Sequence, residues 1–247
     1  MCINNINLDI LRNCSHYANV QTGLLSGSSG YECVVKKAFT RKGVQEIARE
    51  KKGVEGFCLA MKVKENQHII DYHNTKSSAV LIMKYIDGDI GDCHAGIDAN
   101  NSRLMALFDF YKEHDLQGCM DGAHGDLSIS NILFSDNTVR WIIDWENYND
   151  LLPAEHDLIY CLTELMIFEF TKNKKINRKT IEQYWDFINI VEGIYKNVDE
   201  KIRKGPASWL RNNIENLIEA GDESMKKCPF VNNELDIILS LDSVLCK

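Results

Sequence analysis

The residues with the clearest chemical potential lie in the segment 124–146, which reads HGDLSISNILFSDNTVRWIIDWE. Two short apolar runs, 132–134 and 139–143, flank a turn that contains Asp136 and Asn137. Apolar runs around a turn of Asp and Asn are typical of a β-hairpin. We therefore predict a hairpin in this segment, with polar residues at its open end.

Side chains with oxygen atoms stand at that open end. If the turn is centred as its composition indicates, Asn131 lies opposite about Ile142, and Asp144 lies two residues beyond that pairing. Asp126 is on the loop just upstream. Carboxylate and carboxamide oxygens suit Mg²⁺, which takes one or two carboxylates together with waters and substrate phosphates. The third group of the cluster is then free to act on an acceptor hydroxyl.

The pattern H-G-D-x-x-x-x-N, followed by I-D-W-E, resembles the catalytic loop and metal-binding motif of the aminoglycoside phosphotransferase and choline kinase family, which are relatives of protein kinases. The resemblance implies that Asp126 is the catalytic base and that His124 braces the loop. It also implies that Asn131 and Asp144 hold Mg²⁺ against the nucleotide phosphates. Asp157, in the run PAEHDL, matches a family Asp that supports the catalytic loop.

The same family uses a strand lysine and a helix glutamate near the nucleotide. Lys36 ends the run CVVK and is favoured over its neighbour Lys37, which would face the other side of a strand. Glu50 stands at the edge of the apolar face of a helix predicted over 43–57, and Glu46 is the alternative.

The run 79–88, AVLIMKYIDG, resembles the strand and hinge that join the two lobes in this family. The resemblance implies that backbone groups near Lys84, Tyr85 and Ile86 hydrogen-bond the adenine.

The loop that covers the phosphates departs from the family, in which it is rich in glycine. The glycine-rich stretch 26–30 ends only six residues before Lys36, which leaves no room for an intervening strand. We therefore predict that it is the turn between the second and third strands. The phosphate loop is then assigned to 13–18, with Ser15 and backbone N–H groups facing the phosphates. Because this loop has no glycine, ATP and GTP both remain open as the nucleotide.

The order of the remaining elements predicts an α+β protein. Strands are expected within 16–40, 68–72 and 79–86, and helices over 43–57, around Leu104 to Tyr111, and over 155–170, 180–198, 207–220 and 233–245. This order favours a two-lobed protein-kinase-like fold, with a small antiparallel sheet and one helix in the first lobe and a mainly helical second lobe. We assign nucleotide binding to a lobe at 1–86, and catalysis and acceptor binding to a lobe at 87–247.

Composition narrows the class of protein further. The chain has 247 residues and a net charge of −8, which gives no support for a nucleic-acid partner. Nine cysteines without CxxC spacing favour reduced thiols in a cytoplasmic protein. The N-terminus does not have the pattern of a signal peptide, and the most apolar run, 158–170, is too short to cross a bilayer. It is expected to be a buried helix, so no integral membrane segment is predicted.

These observations predict an ATP- (or GTP-) and Mg²⁺-dependent phosphotransferase that moves the γ-phosphate to a hydroxyl of a small molecule. An aminoglycoside, a choline-like amino alcohol, and a sugar or glycan precursor are all open as acceptors, and so is the oligomeric state. The acidic residues of the second lobe either meet an amine-bearing acceptor or form a solvated helix face; they are Glu155, Glu164, Glu169, Glu182 and Asp186.

One alternative among enzymes and one from another class stay open. A protein kinase is disfavoured because no A-P-E-like segment or long activation loop follows Asp144, and Pro153 arrives nine residues later. A catalytically silent pseudokinase that acts through a partner is disfavoured because Asp126, Asn131, Asp144 and a candidate lysine are all present.

Overall fold

The computed structural model describes residues 12–16, 19–27, 30–64, 67–116, 120–173, 175–195, 198–222, 226, 228–232 and 235–246. The chain divides into two compact units, one up to Asp87 and the other from Gly88 onward. That division falls one residue from the lobe boundary that the sequence predicts after Ile86.

The first unit is a five-stranded antiparallel sheet with one helix. The strand order in the sheet is β1-β2-β3-β5-β4. The elements are β1 (Arg12–His16), β2 (Val20–Gly27), β3 (Gly30–Ala38), α1 (Arg41–Ala60), β4 (Ile69–Asn74) and β5 (Ala79–Lys84). Strands β2 and β3 pair from Val20 opposite Ala38 to Gly27 opposite Gly30, so the chain reverses within the predicted stretch 26–30. Residues 28 and 29 of that stretch lie outside the described part of the chain.

Helix α1 begins after Thr40, whose side chain accepts a hydrogen bond from the N–H of Gly43. This contact satisfies one of the N–H groups that a helix leaves open at its start. The apolar positions Ile47, Val54 and Phe57 are buried, as their spacing predicts, and α1 packs against β3 and β5.

The second unit is mainly helical and carries one small antiparallel sheet, with strand order β6-β7-β8. The strands are β6 (Asp89–Ile90), β7 (Ile132–Ser135) and β8 (Thr138–Ile142). The helices are α2 (Gly96–Glu113), α3 (His156–Asn173), α4 (Arg178–Ile194), α5 (Glu200–Lys204), α6 (Pro206–Glu219), α7 (Pro229–Asn232) and α8 (Leu235–Leu245). The expected α+β class, with a small sheet and one helix followed by a mainly helical part, is confirmed.

Helix α3 is the buried helix that the apolar run 158–170 predicts. Every residue from His156 to Ile167 is buried, and the helix packs against α2, α4, α6 and α8. A helix surrounded in this way has no solvent face over its first three turns. Its polar side chains must therefore find their partners inside the protein. Among the described residues, no helix combines the length and the apolar character needed to span a bilayer.

The β7–β8 hairpin forms as predicted, but its register differs by one residue. Asp136 and Asn137 have φ angles of 48° and 60°, the left-handed values that a tight hairpin turn requires. An irregularity between Leu133 and Phe134 adds one residue to β8, so Ile132 rather than Asn131 lies opposite Ile142. The predicted pairing is therefore wrong by one position, because a β-bulge leaves no mark in the apolar pattern.

Candidate active site

A buried ion pair lies in the first unit. Lys36 on β3 and Glu50 on α1 meet with 2.6 Å between Nζ and Oε2, and their side chains are only 8% and 2% exposed. Removing one partner of such a pair leaves an uncompensated buried charge, so both charges are held in place together. The structure thus brings together the lysine and the glutamate that the sequence favours.

The two alternatives have other contacts. Lys37 lies on the opposite face of β3, with its Nζ 4.7 Å from the centre of the Phe39 ring. Glu46 accepts a hydrogen bond from the Asn19 side chain at 3.2 Å.

The hinge segment already uses part of its backbone within the sheet. The N–H of Lys84 donates to the His68 carbonyl at 2.8 Å, and the N–H of Tyr85 donates to the Glu32 carbonyl at 2.9 Å. Any adenine contact in this segment therefore falls to the N–H of Ile86 or to the carbonyl groups.

The predicted phosphate loop is partly a strand. Arg12–His16 forms β1 and pairs with β2, so the expected loop over 13–18 is wrong for its first four residues. The segment has no glycine to favour a loop backbone, and it extends along β2 instead. Tyr17, Ala18 and the side chain of Ser15 lie outside the described residues.

The second unit holds the HGD loop. His124 is completely buried, and its Nε2–H donates to the Ile143 carbonyl at 2.9 Å. Its Nδ1 lies 3.2 Å from Oδ1 of Asp126. Since the carbonyl can only accept, Nε2 keeps its proton, and Nδ1 is the nitrogen that faces the carboxyl group of Asp126. His124 also contacts the Trp145 ring, with 4.6 Å between the ring centres.

The charges around this pair act in opposite directions. Burial raises the pKa of Asp126 and the negative charge of Asp144 adds to the rise, whereas His124 and a hydrogen bond from Asn147 oppose it; the net pKa is raised. Burial lowers the pKa of His124, but the hydrogen bond and charge of Asp126, the charge of Asp157 and the bond to the Ile143 carbonyl together outweigh burial, so that pKa is also raised. The Asp126 side chain is 28% exposed, although its Oδ1 is buried.

Asp157, at the start of α3, anchors the loop from behind. Its Oδ2 accepts the N–H of His124 at 2.8 Å, and its Oδ1 accepts the N–H of Gly125 at 3.1 Å. The hydroxyl of Tyr111 donates to Oδ2 at 3.3 Å. A carboxylate in the first turn of a helix is also favoured by the partial positive charge there. The structure therefore places Asp157 in contact with the loop that it was predicted to support.

A second histidine braces the same loop, although the sequence assigns it no role. His156 is completely buried, and its Nε2–H donates to the Gly125 carbonyl at 3.0 Å. Burial, with a smaller effect from His124, lowers the pKa of His156 to about 4, so this imidazole is neutral at pH 7.

Asn147 is the other contact that sequence reasoning missed. Its Nδ2 donates to Oδ2 of Asp126 at 2.8 Å, which orients the carboxyl group from the side opposite His124. The fit is tight, because a Cβ added at Gly125 would lie 2.3 Å from the Asn147 carbonyl oxygen. Gly125 also has φ of +96°, a value that favours glycine. Both the backbone conformation and the close contact therefore require a residue without a side chain. In the sequence, Gly125 marks a position that could require the absence of a side chain, but it does not indicate that Asn147 is the residue beside it.

Asn131 and Asp144 are both held near this loop. The Nδ2 of Asn131 donates to the Asp126 carbonyl at 3.1 Å, which leaves Oδ1 as the atom available to a cation. Ile143 donates its N–H to the Asn131 carbonyl at 2.9 Å, so Asp144 follows directly after that bond. Asp144 adopts a left-handed backbone with φ of 66°, which is uncommon outside glycine and often marks a functional position. Carboxylate and carboxamide oxygens beside Asp126 are a donor set that suits Mg²⁺.

The acidic residues of the second unit do not form one surface. Glu182 pairs with Arg178 and Asp186 is exposed, as expected for a solvated helix face. Glu164 is only 5% exposed, so the solvated alternative is wrong for this residue. It lies on the part of α3 that is buried on every side.

Comparison with solved structures finds chains at 11–12% identity. The GDP and kanamycin complex of APH(2")-IIia aligns over 98% of this chain and 94% of its own, with a TM-score of 0.46. The GDP complex of wild-type aminoglycoside 2'-phosphotransferase-IIIa aligns over 98% and 95%, with a TM-score of 0.42. A complex of WbdD with the kinase inhibitor LY294002 aligns over 81% of this chain and 49% of its own, with a TM-score of 0.45, so the chain spans about half the length of WbdD.

These structures include aminoglycoside phosphotransferases, the family that the HGD and IDWE motifs resemble. No protein-family model matches the chain, and no curated protein matches it either. Because these TM-scores are below 0.5, the function is inferred from the residues of this chain.

Proposed function

We propose that this chain transfers the γ-phosphoryl group of ATP or GTP, with Mg²⁺, to a hydroxyl group of a small molecule. The observation that carries the proposal is the HGD loop, where Asp126 is held by His124 on one side and by Asn147 on the other. A carboxyl group that is oriented by two partners, on a side chain that is partly exposed, is suited to accept the proton of an acceptor hydroxyl.

The protein contributes positioning and charge in this reaction, more than covalent chemistry. Asp126, ionised, takes the hydroxyl proton as the acceptor oxygen attacks the γ-phosphorus. The bond from that phosphorus to the β-phosphate oxygen breaks, and the nucleoside diphosphate leaves. His124, beside Asp126, stabilises the ionised carboxylate before the transfer. His156 and Asp157 keep the loop backbone in place during this step.

Other residues are assigned to binding the nucleotide and the metal ion. Lys36, oriented by Glu50, is proposed to bind the nucleotide phosphates, and Ile86 to bind the adenine through its backbone. Asn131 and Asp144 would hold Mg²⁺, which supplies neutralisation of the phosphate charge when it is bound.

The acceptor is proposed to be an aminoglycoside, a choline-like amino alcohol, or a sugar or glycan precursor. The test is to incubate the protein with Mg²⁺ and ATP or GTP and a panel of these compounds, and to measure product mass. A gain of one phosphate on one acceptor class is the expected result. If no compound of the panel gains phosphate while the nucleotide still binds, the proposal is overturned in favour of a silent nucleotide-binding protein.

The base is tested by Asp126→Asn, with Asp121→Asn as a matched control on the exposed segment just before the loop. Asp126→Asn should abolish transfer but leave nucleotide binding, because the amide keeps the shape and loses the basic oxygen. Turnover near that of the wild-type protein in Asp126→Asn would refute the assignment.

The lysine is tested by Lys36→Met against Lys37→Met. The first should weaken nucleotide binding measured by calorimetry, and the second should leave it unchanged, because the two side chains lie on opposite faces of β3. Equal affinities in the two variants would contradict the role of Lys36.

A further inference from the structure

Two segments of the second unit run antiparallel to each other beside the proposed base. Ala123 and Asn149 exchange two backbone hydrogen bonds, with N to O distances of 3.1 and 3.0 Å. The close contact continues to Gly125, where an added Cβ would lie 2.3 Å from the Asn147 carbonyl oxygen. This pairing sets the position of Asn147, whose side chain donates to the Asp126 carboxyl group at 2.8 Å.

The side chain of Asn149 connects the paired segments to the residue that follows the end of α6. Its Nδ2 donates to Oδ2 of Asp222 at 2.8 Å, and its Oδ1 accepts the N–H of Leu151 at 2.9 Å. Since a backbone N–H can only donate, the amide oxygen faces Leu151 and the NH₂ group faces the carboxylate. Asn149 is only 8% exposed, and a buried donor that loses its acceptor is costly. Asp222 therefore holds this amide in one orientation.

The end of α6 fixes the position of Asp222 in turn. Gly221 follows the helix with φ of +98°, and the N–H of Asp222 donates to the Leu217 carbonyl at 2.9 Å. This is the hydrogen bond of a Schellman motif, which ends many helices at a glycine. Leu217 also lies in one buried cluster with Ala123 and Leu152. The helix thus presents the carboxylate from a fixed place beside the paired segments.

We propose that Asp222 is a positioning residue of the transfer, which holds Asn147 against Asp126 through Asn149. Without the carboxylate, the buried amide of Asn149 has to turn toward another acceptor or admit water, and the backbone that carries Asn147 moves with it. A misplacement of about 1 Å far from the reacting atoms can cost about a hundredfold in rate. The inference rests on the proposed function and names a residue that acts through Asn149 rather than on the substrate.

The first test compares Asp222→Ala with Glu219→Ala, using any acceptor found by the panel. Glu219 is exposed on the last turn of α6, so its removal takes away a carboxylate nearby without the link. We expect kcat to fall about tenfold in Asp222→Ala and to stay within about twofold of the wild-type value in Glu219→Ala. KM for the nucleotide should be unchanged in both variants, because the link leads to the proposed base rather than to Lys36.

An exchange of the two side chains tests the hydrogen bond itself. Asn149→Asp alone places two carboxylates against each other, so its kcat should be at least as low as that of Asp222→Ala. Adding Asp222→Asn reverses the bond, because the new amide donates to the new carboxylate, whose second oxygen still accepts the N–H of Leu151. The exchanged variant should recover kcat to within about threefold of the wild-type value.

Two measurements separate positioning from a general loss of structure. If Asp222 acts through Asn147, the double variant Asp222→Ala and Asn147→Ala should have a kcat no lower than that of Asn147→Ala alone, whereas independent defects would multiply. Hydrogen exchange of the backbone amides of Ala123 and Asn149, followed by NMR, should be faster in Asp222→Ala and unchanged in Glu219→Ala. The exchange rates require no acceptor.

A kcat of Asp222→Ala equal to that of an active wild-type protein would refute the positioning role alone. Multiplied losses in the double variant would refute it too, and so would an exchanged variant that is folded by circular dichroism but does not recover kcat. If the exchanged variant does not fold, the double variant decides. If the wild-type protein phosphorylates no acceptor, the proposed function fails and the positioning role fails with it, whatever the exchange rates show.

Discussion

Replacing Asp157 by alanine tests the anchor of the HGD loop. The carboxyl group is 4% exposed and accepts the N–H groups of His124 and Gly125 at 2.8 and 3.1 Å. Asp157→Ala removes both acceptors and leaves two buried backbone donors without a partner, while the Tyr111 hydroxyl loses its acceptor as well. The loop should then rearrange or admit water.

The expected loss of stability in Asp157→Ala follows from the hydrogen bonds that it removes. Hydrogen bonds to a charged group contribute about 1.5–3 kcal/mol each, so the two backbone bonds amount to roughly 3–6 kcal/mol. Burial raises the pKa of Asp157, which means that the cost of burying its charge offsets part of this gain. We expect a net loss of about 3 kcal/mol, which for a chain of this size lowers Tm by roughly 6–12 °C.

The assay is thermal unfolding at pH 7 followed by circular dichroism, with Asp109→Ala as the control. Asp109 is exposed on α2, and its removal should change Tm by no more than about 1–2 °C. The Tm of Asp157→Asn should lie between those of Asp157→Ala and the control, because one amide oxygen can still accept a single N–H. A Tm for Asp157→Ala within 2 °C of the control, about half a kcal/mol, would show that the loop does not depend on this anchor.

Three other substitutions test the contacts of the loop and of a later helix. Gly125→Ala should lower kcat at least tenfold in steady-state assays, because its Cβ would lie 2.3 Å from the Asn147 carbonyl oxygen. Asn147→Ala should move the acid limb of the kcat/KM profile to higher pH. Its hydrogen bond holds down the pKa of Asp126, which must be ionised to act as the proposed base, so an unmoved limb would contradict the contact. Asp242→Ala should destabilise α6 by about 1–2 kcal/mol in thermal unfolding, since Oδ1 caps the N–H of Ala207 at 2.9 Å, and should leave kcat unchanged.

The pH dependence of stability gives an independent view of Glu164. Its pKa is raised to about 7 in the folded protein, so its contribution to stability is present below about pH 4.3, the ordinary value, and is lost as pH rises to about 7. Glu164→Gln should therefore gain in Tm relative to the wild-type protein between pH 5 and pH 8. A Tm difference that does not change with pH would show that this carboxyl group is not held in the neutral form by burial.

The sequence was sufficient for features that depend on neighbours along the chain. The Asp-Asn turn and its flanking apolar runs predicted the β7–β8 hairpin, and the run 158–170 predicted the buried helix α3. The sequence also distinguished Lys36 from Lys37 as the candidate lysine, because successive side chains point to opposite faces of a strand. Helix periodicity placed Glu50 at the edge of the apolar face of α1, from which it reaches Lys36.

Contacts between distant parts of the chain were decided only by the tertiary structure. Asn147 reaches Asp126 across 21 positions of sequence, and His156 reaches Gly125 across 31. The periodicity of a helix or strand does not predict these contacts, because they depend on how the loop, the hairpin and α3 pack together. The bulge in β8 is also invisible in the apolar pattern, yet it brings Asp144 directly after the residue that bonds to Asn131.

Glu164 shows the same division within a single residue. Its position on a helix follows from the sequence, where it resembles any other acidic residue of the second unit. Whether that helix has a solvent face depends on the four helices packed around it, and these leave none over its first three turns. The sequence therefore determined which chemical groups the protein carries and which local elements hold them. Packing alone decided that the carboxyl groups of Asp157 and Glu164 are buried, and burial is the largest influence on the pKa of both.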